Sequence, residues 1–261
     1  MNQTPPPDFS SSNSEPLIPQ PAPPVPPRRR VLPVPWVTYV MMGICVLVFI
    51  GQMLTENFWG YDFFALLGDK SNTAIAAGQL WRLLTPIWLH ASILHIGFNM
   101  YALLIFGPGL ERQYGHERFL LLYLLSGIAG NVFSFLFTSA DSLGASTSIF
   151  GLIAAEGVFI YQNRQLMGNN FRAAMGNILF VVAINLILGV STPGIDIWGH
   201  IGGLTGGFAF AWAASPLLEP QWVNGHVQLV DQRSMTQTRL LALAILVFLV
   251  ILTYFGITRM A

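Results

Sequence analysis

The chain has 261 residues, 53% of them hydrophobic and only 9% charged, with no net charge. A soluble domain carries about 25% charged residues, so an ordinary water-soluble protein is excluded and several membrane spans are indicated. Zero net charge leaves no basic surface for nucleic acid, and one cysteine, Cys45, excludes internal disulfides and cysteine metal clusters.

Residues 1–35 read as a disordered, proline-rich cytoplasmic tail, too polar to bury enough apolar surface to offset chain entropy. No signal peptide is visible in it, and Asp8 and Glu15 argue against a mitochondrial transit peptide. Pro23-Pro24-Val25-Pro26-Pro27-Arg28 fits a polyproline ligand pattern, with a stiff tail as the plainer reading. Seven apolar segments follow, at 36–54, 92–109, 119–138, 146–162, 175–191, 197–214 and 239–257. A span takes about 20 apolar residues, with roughly 17 as the lower end, so the fourth to sixth are short. The predicted fold class is an all-α polytopic membrane protein. Its organisation is a core over 36–215, a cytoplasmic linker over 216–238, and a last span with a short tail over 239–261.

Loop charges orient the chain. With a cytoplasmic N-terminus, the inner side holds Arg28, Arg29, Arg30, Arg112, Arg118, Arg164, Arg172, Arg233 and Arg239. The outer side holds Lys70, Arg82 and Arg259, and this positive-inside bias puts the C-terminus outside. The long external connection 55–91 contains Phe58, Trp59, Tyr61, Phe63, Phe64, Trp81 and Trp88, which suits the bilayer interface.

In this topology the second, fourth and sixth segments all enter from the outer face, and each carries polar residues near that end. Polar residues within the membrane are costly and usually functional. The second segment has His95 and Asn99, four apart and on one helical face. The fourth starts at Ser146 in Gly144-Ala145-Ser146-Thr147-Ser148-Ile149-Phe150-Gly151, and the sixth carries His200 in Trp198-Gly199-His200-Ile201-Gly202-Gly203. A serine is a weak nucleophile and needs a base, which His200 supplies before protonating the leaving amine. Gly203 and Gly207 share the His200 face and allow a neighbouring backbone to approach. His95, Asn99 and the N–H groups opening the fourth helix are candidate oxyanion donors. Phe150, one turn beyond Ser146, is placed to pack on the His200 ring. Ser142 and Ser148 are competing nucleophiles.

These residues resemble the rhomboid family of intramembrane serine proteases over about 75–210. Gly144-Ala145-Ser146 with Phe150-Gly151 resembles the family's Gly-x-Ser motif. His200, Gly203 and Gly207 resemble its His-x-x-Gly-x-x-x-Gly motif. His90, His95 and Asn99 resemble its second-helix signature, Trp81-Arg82 its first-loop pair, and Glu111-Arg112-Gln113-Tyr114-Gly115 the motif ending the second helix. The resemblance implies a rhomboid-like six-helix bundle plus a C-terminal seventh transmembrane helix. It implies a hydrolase in which a Ser146–His200 dyad works without an acidic third member, with His95, Asn99 and the Ser146 backbone as oxyanion hole. No metal or cofactor is implied. Substrates would be single-span membrane proteins, cut in or near the membrane segment; oligomeric state is left open. A plasma (inner) membrane location is expected.

Two departures stand out. Thr147 replaces the glycine that often follows the nucleophile, and is expected to narrow the pocket or slow turnover. Gly199 replaces the usual alanine before the histidine, a small-for-small change. Asp196 reads as a helix N-cap rather than a third catalytic member. Glu156 lies about 15 Å deeper than Ser146. Glu156, Asn185 and His200 define the transporter or channel alternative, and an inactive relative that binds membrane clients is another. There is no His-Glu-x-x-His zinc motif.

Overall fold

The computed structural model describes residues 33–223 and 225–260, so the expected tail and its polyproline pattern lie outside the described residues. The chain runs through α1 (Trp36–Trp59), α2 (Phe63–Gly68), α3 (Asn72–Ala76) and two 3-10 turns, Leu80–Leu83 and Thr85–Trp88. It continues through α4 (Ile93–Tyr114), α5 (His116–Phe137), α6 (Ser146–Gln162), α7 (Arg164–Met167), α8 (Phe171–Ser191) and α9 (Ile197–Ala214). An antiparallel hairpin of β1 (Leu218–Val223) and β2 (His226–Asp231) leads into α10 (Met235–Met260).

All seven apolar segments are helices. Several outrun their hydropathy, because a helix continues through polar residues at its ends. Thus α4 carries Glu111, Arg112 and Gln113 in its last turns. Five of these helices are long and apolar enough to cross a membrane. The other two, α6 with 17 residues and the glycine-rich α9, are central helices with little need for a lipid-facing surface. Ten of the 17 residues of α6 are buried, against two of the 21 in α8. The chain is a helical polytopic membrane protein, with a core of six helices, α1, α4, α5, α6, α8 and α9, and a seventh, α10, on the outside of α5 and α9.

Glycines set the spacing at the centre. A Cβ on Gly203 would lie 2.0 Å from the Thr147 carbonyl oxygen, and one on Gly207 would lie 2.3 Å from Gly151 Cα. On the other face of α9, Gly202 meets Phe133 and Gly206 meets Ala129. Between helices in lipid, where water exclusion drives little, such backbone proximity is the main source of attraction.

Polar contacts fix the helix ends. Pro35 opens α1 without a capping side chain. The buried Glu111 carboxylate does this from α4, accepting N–H bonds from Val37 at 2.9 Å and Thr38 at 2.7 Å, and the Thr38 hydroxyl at 2.6 Å. His116 Nδ1 lies 2.6 Å from the same carboxylate. In the first loop, Arg82 is buried and donates to the Leu66 carbonyl at 2.6 Å and Gln79 Oε1 at 2.7 Å, and pairs with Asp69. Trp81 Nε1 donates to the Leu67 carbonyl at 3.0 Å. Burial raises the Asp69 carboxyl above its ordinary value, against the pull of Arg82. Phe58, Trp59, Tyr61, Phe63, Phe64 and Trp81 are all exposed along this segment, an aromatic surface that suits the interface.

The 216–238 stretch, expected as a linker, holds the β hairpin. Asn224-Gly225 between two strand-length runs is a strong hairpin signal, and Gly225 has the positive φ of 81° that such a turn requires. Its base is tied down by Arg118, which pairs with Asp231 and donates to Thr238 Oγ1 at 3.2 Å. Asn163 at the end of α6 accepts from the Leu218 N–H at 2.9 Å and donates to the Pro216 carbonyl at 3.0 Å.

Candidate active site

The first residue of α6, Ser146, is half-buried, and its Oγ lies 2.9 Å from His200 Nε2. His200 enters from the first turn of α9. Asp196 caps that turn, accepting the Gly199 N–H on Oδ1 at 2.8 Å, while its carbonyl accepts the His200 N–H at 3.1 Å. Asp196 therefore hydrogen-bonds the helix rather than the imidazole, and His200 Nδ1 has no hydrogen-bond partner among the described residues. For Nε2 to accept the Ser146 hydroxyl proton, Nδ1 must carry the ring proton. The Phe150 ring stacks on His200 with centroids 4.2 Å apart and planes 19° apart, which limits rotation of the imidazole.

The approach to Ser146 is held by the first loop. Lys70 and Ser142 exchange backbone hydrogen bonds of 2.8 and 3.1 Å, and the Gly144 N–H donates to the Pro86 carbonyl at 2.9 Å. Lys70 is wholly buried, with Nζ donating to the Ala140 carbonyl at 2.6 Å and Asn72 Oδ1 at 2.9 Å. Burial lowers its pKa, opposed by Asp196, Asp141 and Asp69. Gly144 has φ 142°, outside the usual range of other residues, and a Cβ there would lie 2.8 Å from His95 Nε2. That same position is 3.6 Å from Ser146 Oγ, so the His95 ring edge and the serine flank one small space.

His95 Nδ1 accepts the Ala91 N–H at 3.3 Å. A neutral ring that accepts at Nδ1 carries its proton on Nε2, which makes the edge facing Gly144 a donor. Asn99 Nδ2 donates to the His95 carbonyl at 3.0 Å, using one of its two N–H groups within α4. His90 packs edge-on against His95, with centroids 5.2 Å apart, and its backbone N–H donates to Gln52 Oε1 at 3.0 Å. Burial, with the His95 ring beside it, pushes the His90 imidazole down to about 4, so it is neutral at pH 7. Ala145 gives α6 no side-chain cap, which leaves its first N–H groups available to an anion.

The competing serines are elsewhere. Ser148 is fully buried against Gly127, and Ser142 Oγ is 3.3 Å from Ser134 Oγ. Thr147, expected to narrow the pocket, is buried against Gly130 and Gly199 between α5 and α9 instead. Asn185 is exposed on α8 and bonds back to the Val181 carbonyl at 2.8 Å. Gln52, Pro86 and the bracing part of Lys70, which the sequence shows only as an outer-side charge, are supplied by the structure. A glutamine inside an apolar helix was a usable signal; Lys70 and Pro86 carry none, because their part depends on which loops meet. Among the described residues no cluster of His, Cys, Asp or Glu is placed to hold a metal ion.

Comparison with known proteins matches residues 77–217 to the Rhomboid domain. The chain is 42% identical over 180 residues to Rhomboid protease GluP of Bacillus subtilis, covering 69% of this chain and 35% of that protein. It is 40% identical over 194 residues to RHOMBOID-like protein 1 of Arabidopsis thaliana, covering 68% of this chain and 47% of the relative. RHOMBOID-like protein 9, chloroplastic, of the same plant is 33% identical over 181 residues, covering 69% and 42%. The chain thus spans less than half the length of each of these relatives. The matched region contains every side chain of the pocket, from His90 to His200, and the chain belongs to the rhomboid family.

Proposed function

We propose that the protein is an intramembrane serine endopeptidase whose catalytic core is 36–215. The observation that carries this reading is the 2.9 Å contact of Ser146 Oγ with His200 Nε2 at the ends of two buried helices. His200 takes the serine proton as Oγ bonds to the peptide carbonyl carbon. It then gives that proton to the leaving amine as the C–N bond breaks. Water, activated by the same imidazole, releases the acyl group. Developing negative charge on the carbonyl oxygen is met by His95 Nε2–H, the second Asn99 N–H and the Ser146 amide.

Substrates are single-span membrane proteins, cut in or near the membrane segment, because the pocket lies among helix ends that only a partly unwound chain can reach. The N-terminus is cytoplasmic, the C-terminus outside, and the membrane is a plasma (inner) membrane. The test is cleavage of a single-span reporter in liposomes. Ser146→Ala and His200→Ala should each lower the rate by about 10³-fold or more, while Ser148→Ala and Ser142→Ala keep it. Equal cleavage by wild type and Ser146→Ala would overturn the assignment. No cleavage by folded wild type across several reporters would instead favour a client-binding relative.

A further inference from the structure

The β hairpin has two unlike faces. Register pairs Pro220 with Leu229 and Trp222 with Val227, and alternation puts these four on one side with Leu218. The other side presents Glu219, Gln221, His226 and Gln228 together with Val223 and Val230, while Asp231, opposite Leu218, ends the apolar side at the base of the hairpin, where it pairs with Arg118. Pro220, Trp222, Val227 and Leu229 are all exposed, Trp222 at 74%. An isolated two-stranded hairpin is marginal in water, and an uncovered apolar face makes it more so.

We propose that this apolar face is an interfacial membrane anchor that lies in the headgroup region of the bilayer leaflet at this end of the bundle. Position argues for lipid as the occupant. The hairpin is strung between two helices, with three residues separating it from the end of α9 at Ala214 and three from the start of α10 at Met235. Tyr161, Phe208 and Trp212, all exposed, stack towards the adjoining ends of α6 and α9 and mark the interface level there. The six-residue strands reach about 20 Å, long enough for the hairpin to lie along the headgroup region from that level. The Arg118–Asp231 pair and the Asn163 bonds tether the base to the bundle, so the hairpin is held beside the membrane. Residues 218–231 contain Glu219 and Asp231 but no lysine or arginine. The attachment is therefore apolar and does not require anionic lipid.

The test uses the full chain in phosphatidylcholine vesicles. Val227→Cys on the apolar face and Gln221→Cys on the polar face are each labelled with an environment-sensitive fluorophore. The parent chain, whose Cys45 is fully buried, is the blank. Lipids brominated near the headgroup should reduce emission from position 227 and leave position 221 bright, and added phosphatidylglycerol should change neither. Equal quenching at both positions, no quenching at 227, or quenching only with the anionic lipid would overturn the proposal. Both substitutions are on the exposed hairpin surface, and neither tests catalysis, so failure here leaves the protease reading intact.

Discussion

At the residue scale, the reaction proposed here depends on one imidazole being held in one orientation. Ser146 contacts Nε2, Phe150 covers a ring face, and among the described residues no carboxylate hydrogen-bonds Nδ1. Aromatic stacking contributes about 0.5–1.5 kcal/mol. Phe150→Ala is therefore expected to lower kcat by up to about tenfold with KM little changed, while Phe150→Tyr stays near wild type. Initial rates on the liposome reporter check this. Thr147 is the opposite case. Its side chain fills the space opposite Gly130 and Gly199 rather than the substrate pocket. Thr147→Gly should lower stability by about 1–2 kcal/mol through the cavity it leaves, without raising the turnover of molecules that remain folded. Thermal unfolding in detergent, paired with kcat, separates the two effects.

At the element scale, α6 and α9 come close enough for a serine–histidine contact because their facing residues lack side chains. Gly203→Ala would push a methyl group into the Thr147 carbonyl, and only movement of α9 would relieve it. The expected outcome is loss of cleavage together with a fall in stability of about 1–3 kcal/mol or more, read by thermal unfolding in detergent. The enclosing helix α8 differs: it buries only Ile178 and Gly189. It leads into Ser191-Thr192-Pro193-Gly194-Ile195-Asp196, a turn ending beside His200, in which Gly194 has φ 85°. An element with so few buried contacts is the one that moves at least cost. A disulfide locking α8 to α4 should abolish cleavage of a membrane-embedded reporter and release it again on reduction. Unchanged cleavage in the locked form would show that substrate enters by another route.

At the scale of the whole molecule, a buried carboxylate joins three helices far from the chemistry. Glu111 receives two α1 N–H groups and the Thr38 hydroxyl, and contacts His116 at the start of α5. Hydrogen bonds to a charged group are worth about 1.5–3 kcal/mol, and partners stranded in the bilayer cost more. Glu111→Ala should lower stability by about 3 kcal/mol, with Glu111→Gln intermediate, as measured by unfolding in detergent. Kinetics of the surviving folded fraction should stay near wild type, because the carboxylate belongs to the opposite end of α4 from His95.

The seven apolar helices and the residues opening α6 and α9 were legible in the sequence. The bilayer leaves only one way to satisfy the backbone, so an apolar run of sufficient length must be a helix and polar residues stand out against it. The Asn224-Gly225 turn was equally local and readable, yet the stretch around it passed as a linker because polar residues flank it. Other features were set by tertiary structure alone. Whether Ser142, Ser146 or Ser148 meets His200 depends on the rotation of α6 against α9, which the glycine contacts fix. Whether Thr147 narrows the pocket or fills the core depends on Gly130 of a third helix. The Asp196 cap, three residues from Gly199, was legible locally, whereas the Glu111 cap on α1 and the Lys70 bonds that secure the loop before Ser146 are long-range pairings. Nothing in local sequence encodes them, because each partner is supplied by an element that packing alone brings within hydrogen-bond reach.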